Sequence, residues 1–281
     1  MNEEGRRRSR QDSLVLYLIL AVFIVIVTFP FYYMVLTSLR TPHDVYQRTG
    51  MLTPRGLTSQ NYSYVIEKTD FLVWVRNSIV VAFGTTFLSL VVSVLAAYSL
   101  ARLRYRGANT IAKSILFMYL VPSSLLFIPL FLLVSKLGLT NNLWGLIVAY
   151  QTFNVPFCTW LLLGYFRSIP AELEEAARID GCSHLSVLWR ITLPLAGPGI
   201  ITAFVFGFIN SWNEFLFAAV LVQRSPLRTF PVGFYSFIIG DVLLWGPMMA
   251  DAVMVTIPTV ILFMLVQRFV VQGLTAGSVK G

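Results

Sequence analysis

The chain has 281 residues, of which 57% are hydrophobic and only 12% are charged, with a mean hydropathy of +0.74. Because roughly a quarter of the residues in a soluble globular domain are charged, this composition indicates an integral membrane protein. The net charge of +8 does not indicate nucleic-acid binding. The basic residues are scattered beside apolar runs, where they orient a chain in the membrane.

The apolar runs, taken in chain order, predict an all-α polytopic protein that crosses the membrane six times. A basic head at residues 1–13 precedes the first span, which we interpret as an uncleaved anchor. The third span contains Pro122 and Pro129, which predicts a kink or a broken helix. The apolar stretch within 223–251 is short and broken by glycines, so it is expected to be an outer surface or re-entrant element. The predicted spans cover residues 14–36, 71–100, 111–134, 143–166, 198–222 and 252–271.

The distribution of basic residues predicts the orientation of this 14–271 domain. Most of the 21 Lys and Arg residues lie in the head, in residues 101–113, in the loop 167–197 or after the last span. Loops rich in Lys and Arg stay in the cytoplasm. Both termini and the loop 167–197 are therefore expected on the cytoplasmic side of the membrane, with a cytoplasmic tail at 272–281.

The loop 167–197, called the polar loop below, is the one long polar, helix-forming segment between apolar runs. Pro170 suits a first helical position, the glutamates that follow suit a first turn, and Gly181 is a predicted helix stop. Ser183 is a predicted cap for a second short helix, which Pro194 is expected to close. Leu173, Ala176 and Ala177 are spaced to share one shallow helix face.

A family resemblance rests on the spacing within this loop. Glu175-Ala176-Ala177 is followed after three residues by Gly181 and after nine more by Ile191-Thr192-Leu193-Pro194. This resembles, without a gap, the EAA loop (EAA-x3-G-x9-I-x-LP) of permease subunits of binding-protein-dependent ABC importers. The resemblance implies that the first helix docks in a cleft of an ATPase subunit. The implied coupling residues are Glu174, Glu175, Ala176, Ala177, Asp180, Gly181, Ile191, Leu193 and Pro194.

Polar side chains inside the predicted spans form a second group of candidates. The fifth span carries a carboxylate and two amides, and its Trp-Asn-Glu run is similar to that of carbohydrate-uptake permeases of the maltose-type, MetI-like class. Such groups are costly in hydrocarbon, so they either line a translocation path or lock helices together. The candidate residues are Gln151, Asn154, Asn210, Trp212, Asn213 and Glu214.

The chain end also resembles that of the maltose-type permeases. Its small residues could thread into an ATPase interface, with Gln272, Gly273 and Thr275 as the contacts, or form a frayed terminus without a function.

A catalytic role is not expected. None of the four lysines, Lys68, Lys113, Lys136 and Lys280, completes a phosphate-binding loop, and no serine-hydrolase elbow is present. No catalytic residue, metal site or cofactor is expected in the chain. The spacing of Cys158 and Cys182 indicates neither a disulfide nor a metal site.

The sequence therefore predicts the permease subunit of a sugar ABC importer, with a di- or oligosaccharide as substrate. The expected partners are a second homologous permease, a dimer of ATP-binding subunits that hold ATP and Mg²⁺, an extracytoplasmic solute-binding protein and the lipid bilayer. Three alternatives stay open: an importer of glycerol phosphates or another polar solute, a secondary carrier or channel, and a membrane-embedded enzyme.

Overall fold

The computed structural model describes residues 3–46, 56–103, 105–240 and 242–276. The chain divides into two compact units, residues 1–69 with 236–256 and residues 70–235 with 257–281. Both units are almost entirely helical, as the apolar runs predict.

The first unit opens with a long helix and two short ones. They are α1 (Glu3–Ser38), α2 (Pro42–Tyr46) and α3 (Gln60–Lys68). The amide of Asn61 on α3 donates to the carbonyl oxygens of Ser38 and Arg40, both at 2.8 Å. The Ser38 hydroxyl lies 2.7 Å from that of Tyr62. These bonds satisfy the end of α1 and fix α3 against it.

The second unit begins with the helices that form its core and continues into the polar loop. They are α4 (Phe71–Arg102), α5 (Ala108–Leu120), a 3₁₀ turn (Ser123–Leu126), α6 (Phe127–Lys136), α7 (Leu143–Ser168), α8 (Ala171–Ile179), α9 (His184–Val187), a π turn (Leu188–Thr192) and α10 (Leu193–Leu195).

The remaining elements follow the loop. They are α11 (Gly197–Asn213), α12 (Leu216–Leu221), 3₁₀ turns at Ser225–Leu227 and Phe234–Phe237 that flank α13 (Phe230–Gly233), the antiparallel strands β1 (Ile238–Ile239) and β2 (Val242–Leu243), and α14 (Trp245–Ala276).

The second unit is held together by the packing of α4 along α7 and α11. The buried face of α4 is rich in small residues, which let helix backbones approach closely in a membrane. Polar bonds cross the contact: the Ser89 hydroxyl donates to Oε1 of Gln151 at 2.7 Å, and the Ser93 hydroxyl donates to the carbonyl oxygen of Val155 at 3.1 Å. The small buried residues of α4 include Ala82, Thr85, Thr86, Ser89, Ser93 and Ala97.

By length and composition, the described residues allow four to six spans, a range that includes the predicted number. Among the described residues four helical segments are long and apolar enough to cross a membrane, namely Val15–Ser38, Phe71–Arg102, Leu143–Ser168 and Trp245–Gln267. Two bent pairs pass the same criteria together, so counting each pair as one span gives six crossings. The predicted break in the third span is confirmed, because α5 and the segment Ser123–Lys136 meet at 91° beside Pro122.

Two predicted span boundaries are wrong. The fifth span is not continuous over 198–222: α11 stops at Asn213 and α12 starts at Leu216, because Glu214 caps the new helix. The last span begins at Trp245 rather than at 252, and its apolar part ends at Gln267 within a helix that continues to Ala276. Residues 223–240 contain only short helical turns and the two-residue strand β1. The prediction that this stretch is not a seventh crossing is therefore confirmed.

Candidate functional site

The first helix of the polar loop, α8, is bounded by the residues that the sequence suggests. Pro170 lies just before it, one position earlier than predicted, and Gly181 ends it with φ +89°. The amide of Cys182 donates to the carbonyl oxygen of Ala177 and that of Gly181 to Arg178, both at 3.0 Å. This pair of bonds is a Schellman cap, which needs a left-handed residue and so favours glycine. The predicted role of Gly181 as the helix stop is confirmed.

Glu174 anchors α8 to the membrane helices. Its side chain is 6% exposed, and its Oε1 accepts bonds from Nε of Arg102 at 2.8 Å and from the hydroxyl of Thr192 at 2.9 Å. Arg102 lies in the last turn of α4, and its Nη2 also donates to the carbonyl oxygen of Ile169 at 2.8 Å. One buried carboxylate therefore joins the end of α4 to both halves of the loop.

The coupling role predicted for Glu174 stays a prediction, and this geometry assigns its carboxylate to contacts within the chain. Glu174 positions the loop. The exposed coupling candidates on or next to α8 are Glu175, Ala176, Asp180 and Gly181, while Ala177 is half-buried.

The polar loop also exposes apolar side chains that were not among the predicted coupling residues. Ile179 is 87% exposed and Trp189 is 64% exposed, and Leu173 and Leu185 are exposed as well. The spacing of the loop does not distinguish these four side chains from buried ones. Large exposed apolar residues gathered on one loop are typical of a surface that another protein covers.

The second half of the loop differs from the predicted short helix. Ser183 caps it as expected, since its hydroxyl accepts the amide of Ser186 at 3.3 Å. Pro194 does not close it: the chain passes through a π turn, in which the amide of Leu193 donates to the carbonyl oxygen of Leu188, and ends at Leu195. Because proline has no N–H, a widened turn accommodates it without ending the helix.

The three C-terminal coupling candidates occupy different environments. Ile191 and Leu193 are half-buried, and Leu193 packs against the core around α4 and α7. Pro194 is exposed. The segment His184–Leu195 then meets α11 at 79°. These residues therefore join the loop to α11 more than they form its outer surface.

A cavity of about 790 Å³ lies between the polar loop and the cytoplasm-facing ends predicted for α4 and α5. Its lining includes Tyr98, Arg102, Asn109, Glu175, Arg178 and His184. The cavity therefore has both acidic and basic side chains beside the exposed part of α8.

The structure separates the predicted path residues into an inner and an outer group. Asn154 is fully buried, and its Nδ2 donates to the Ser211 hydroxyl at 2.7 Å. Gln151 bonds to Ser89, and Trp212 is buried in a stack with Phe208. Gln151 and Asn154 thus join α7 to α4 and to α11, and Trp212 packs α11 against Phe230 of α13, which is the structural alternative that the sequence left open.

The outer group lies on the C-terminal part of α11. Asn210 and Asn213 are exposed, together with Phe206 one turn earlier. Glu214 is half-buried, and its carboxylate oxygens accept the backbone amides of Phe217 at 3.0 Å and Ala218 at 3.2 Å. Glu214 therefore stabilises the N-terminus of α12. The exposed Asn213 donates from Nδ2 to the carbonyl oxygen of Ile209 at 3.0 Å within α11.

The tail candidates Gln272, Gly273 and Thr275 lie in the last turns of α14. Their side chains are outside the described residues, and so are residues 277–281. Their contact with an ATPase stays a prediction.

Comparison with known proteins decides the family. Residues 89–276 match the family described as binding-protein-dependent transport system inner membrane component. The chain belongs to this permease family. The matched region contains the polar loop and most of the core, namely α4 from residue 89 onward, α7 and α11. It also contains the described part of α14.

Relatives of this permease align over nearly its whole length. It is 36% identical over 264 residues to the inner membrane ABC transporter permease protein YcjP of Escherichia coli (strain K12), covering 93% of this chain and 94% of the relative. It is 35% identical to the trehalose/maltose transport system permease protein MalG of Thermococcus litoralis, covering 100% of both chains. The diacetylchitobiose uptake system permease protein DasC of Streptomyces coelicolor is 32% identical, with 90% and 92% covered.

A solved structure shares the fold of this permease. A chain in the crystal structure of a bacterial ABC transporter involved in the import of the acidic polysaccharide alginate superposes with a TM-score of 0.81 at 27% identity. The match covers 94% of this permease and 98% of that chain. The permease is thus a multi-pass inner-membrane subunit of a binding-protein-dependent transport system, and such subunits are not themselves catalytic.

Proposed function

We propose that this permease is one transmembrane subunit of an ABC importer for a di- or oligosaccharide. Support comes from the relatives, whose names refer to trehalose and maltose, diacetylchitobiose, and sulfoquinovosyl glycerol. The solved transporter imports alginate, which is also a carbohydrate. An importer of another polar solute, such as a glycerol phosphate, is the second candidate within the same class.

The transport cycle requires partners in this proposal. A solute-binding protein delivers the sugar, which agrees with the family description. A second, homologous permease completes the pathway, and two ATP-binding subunits hold ATP and Mg²⁺. ATP-driven closure of these subunits biases the membrane domain between its two access states.

The polar loop is the proposed point of contact with the ATPase, and its geometry carries the proposal. It exposes Ile179, Trp189 and Glu175 to a partner, while the buried carboxylate of Glu174 ties the same helix to α4. A surface that is both exposed and firmly held can transmit a displacement to the membrane helices. Ala176, Ala177 and Gly181 would allow the partner to approach the helix backbone closely.

The exposed asparagines of α11 are the proposed contribution to the translocation path. Asn210 and Asn213 are exposed on α11, which belongs to the proposed fifth span. Amides at that position need protein or water partners, because lipid offers none. The second permease or a water-lined path would supply them.

The proposed orientation places both termini and the polar loop in the cytoplasm. Cysteines introduced one at a time at Asp180 and at Leu137, which lie in the polar loop and in the turn between α6 and α7, test it with a membrane-impermeant maleimide on intact cells. Labelling at position 137 only is the expected result. Labelling at 180 instead would reverse the topology.

The functional test is uptake by the reconstituted importer. The permease, its co-purifying subunits and the binding protein are placed in proteoliposomes, and uptake of labelled trehalose, maltose and a glycerol phosphate is measured with and without ATP inside. We expect uptake of a sugar that depends on ATP. Uptake by this chain alone, without ATP, would instead support the carrier or channel.

The coupling role is tested in the same system with matched substitutions on one helix. Glu175→Lys and Ile179→Asp change the proposed contact surface, whereas Glu172→Lys changes an exposed residue in the first turn of α8. The first two variants should abolish uptake while the third retains most of it. Normal uptake in all three would exclude the docking role.

A further inference from the structure

A groove of about 730 Å³ lies between α5, α7 and α11 and borders the start of the polar loop, to which Arg167 and Ser168 belong. Its floor is apolar and consists of Leu116 from α5, Phe157 and Trp160 from α7, and Phe206 from α11. The rings of Phe157 and Phe206 lie 5.7 Å apart in an edge arrangement. The volume falls in the range of about 300–1,000 Å³ that is usual for sites that hold small molecules.

Two basic residues lie at one end of this groove. Lys113 is in the second turn of α5, and Arg167 is in the last turn of α7, with Asn109 and Ser168 beside them. Both cations are exposed, and none of the ion pairs found in the described part of the chain involves either one. None of the described residues that line the groove is acidic. This end therefore favours an anion.

The length of the groove matches one leaflet of a bilayer. Phe157 precedes Arg167 by ten positions on the same helix, which corresponds to about 15 Å along its axis. The hydrocarbon core of a bilayer is about 30 Å thick, so one leaflet accounts for about the same 15 Å. The groove thus pairs a cationic end at the membrane surface with an apolar floor that reaches toward the midplane.

We propose that this groove binds an anionic phospholipid of the surrounding leaflet. The phosphate lies between Lys113 and Arg167, and an acyl chain lies along Trp160, Phe157 and Phe206. Basic pockets between membrane helices on the cytoplasmic side are suited to such headgroups. The assignment to the cytoplasmic leaflet rests on the orientation proposed above. The lipid contact itself does not depend on that orientation or on the identity of the transported solute.

The shape and charge favour a lipid over a helix of the second permease. An apolar helix could cover Trp160 and Phe206, but it would leave the charges of Lys113 and Arg167 without a partner at the end of the groove. A phospholipid supplies both the negative group and the flexible apolar chain. A second-permease helix in the groove is the outcome that would contradict the proposal.

The test uses the assembled complex in nanodiscs with a phosphatidylglycerol that carries a photoactivatable group in its acyl chain. Mass spectrometry locates the label after irradiation. The Lys113→Gln/Arg167→Gln variant removes both cations, and Lys68→Gln/Lys136→Gln removes two exposed lysines elsewhere. A third variant, Gly164→Phe, fills the groove, because a Cβ at Gly164 meets no atom within 4 Å.

We expect label on residues 157–167 in the wild type and in the lysine control. Each cation removed weakens headgroup binding roughly fivefold, so the phosphatidylglycerol fraction needed for half-maximal labelling should rise roughly 25-fold in the Lys113/Arg167 variant. Gly164→Phe should lose the label while the complex still assembles. Equal labelling in both double variants would mean non-specific contact with bulk lipid and would overturn the proposal. So would the absence of lipid label combined with cross-linking of Leu116→Cys to the second permease.

Discussion

Removing the carboxylate of Glu174 should release the polar loop from α4. In a Glu174→Met variant the guanidinium of Arg102, whose side chain is only 13% exposed, loses its charged partner. Breaking a buried ion pair at one side costs about 3–5 kcal/mol. The lower end applies, because Arg102 keeps its bond to the carbonyl oxygen of Ile169. A loss of about 3 kcal/mol corresponds to roughly 100-fold more frequent local opening of α8.

Hydrogen exchange of the α8 amides in the purified permease measures this opening directly. Thr192→Val removes only one bond to the same carboxylate, which costs about 1.5 kcal/mol, so exchange should increase roughly tenfold. The control Glu175→Met changes an exposed residue on the same helix and should have little effect.

The double variant Arg102→Met/Glu174→Met separates the effect of losing the side-chain contacts from the effect of leaving Arg102 as an unpaired buried charge. It leaves no uncompensated ion in the interior, but it still lacks the bond from Thr192 to the carboxylate, so its exchange should lie near that of Thr192→Val and well below that of Glu174→Met. If Glu174→Met exchanges no faster than Glu175→Met, the carboxylate does not hold the loop and the reasoning fails.

Three further substitutions test the packing of the second unit, each by thermal unfolding of the purified permease in detergent. A Cβ at Gly145 would clash with the carbonyl oxygen of Leu139, whereas one at Gly164 meets open space. Gly145→Ala should therefore lower the melting temperature markedly and Gly164→Ala should not, and similar melting temperatures would contradict the close packing at the start of α7. Asn154→Ala breaks the 2.7 Å bond to Ser211 and should lower the free energy of unfolding by about 1 kcal/mol. A double-mutant cycle of Asn154 and Ser211 that shows no coupling energy would contradict this bond. Glu214→Leu should destabilise α12 by about 1 kcal/mol or more while Glu214→Gln keeps an acceptor and most of the stability; equal losses would rule out the cap.

Features set by local chemistry were predictable from the sequence. The apolar runs gave the number of crossings because hydrocarbon thickness fixes the length of a span. Gly181 was recognised as a helix stop because a left-handed residue after a helix is usually glycine, and its φ of +89° agrees. The break beside Pro122 followed from the missing N–H of proline.

Features that depend on distant contacts were not predictable from the spacing alone. The partner of Glu174 is Arg102, 72 positions earlier in the chain, and nothing in the loop pattern distinguishes a buried glutamate from the exposed Glu175 beside it. The break in the fifth span was missed because Glu214 was interpreted as a path residue and not as a cap. Burial likewise separates Trp212 in the core from the adjacent, exposed Asn213.

The first membrane span is buried by its own chain far less than the spans of the core are. None of the most apolar window within Val15–Ser38 is buried by the rest of the described protein. A segment without buried contacts adds nothing to the cooperativity with which a domain unfolds. Within the chain, only length and hydrophobicity constrain the sequence of this most apolar window. Exchanges among Leu, Ile, Val and Phe should therefore be tolerated there as neutral variation, whereas the same exchanges on α7 would disturb a packed interior.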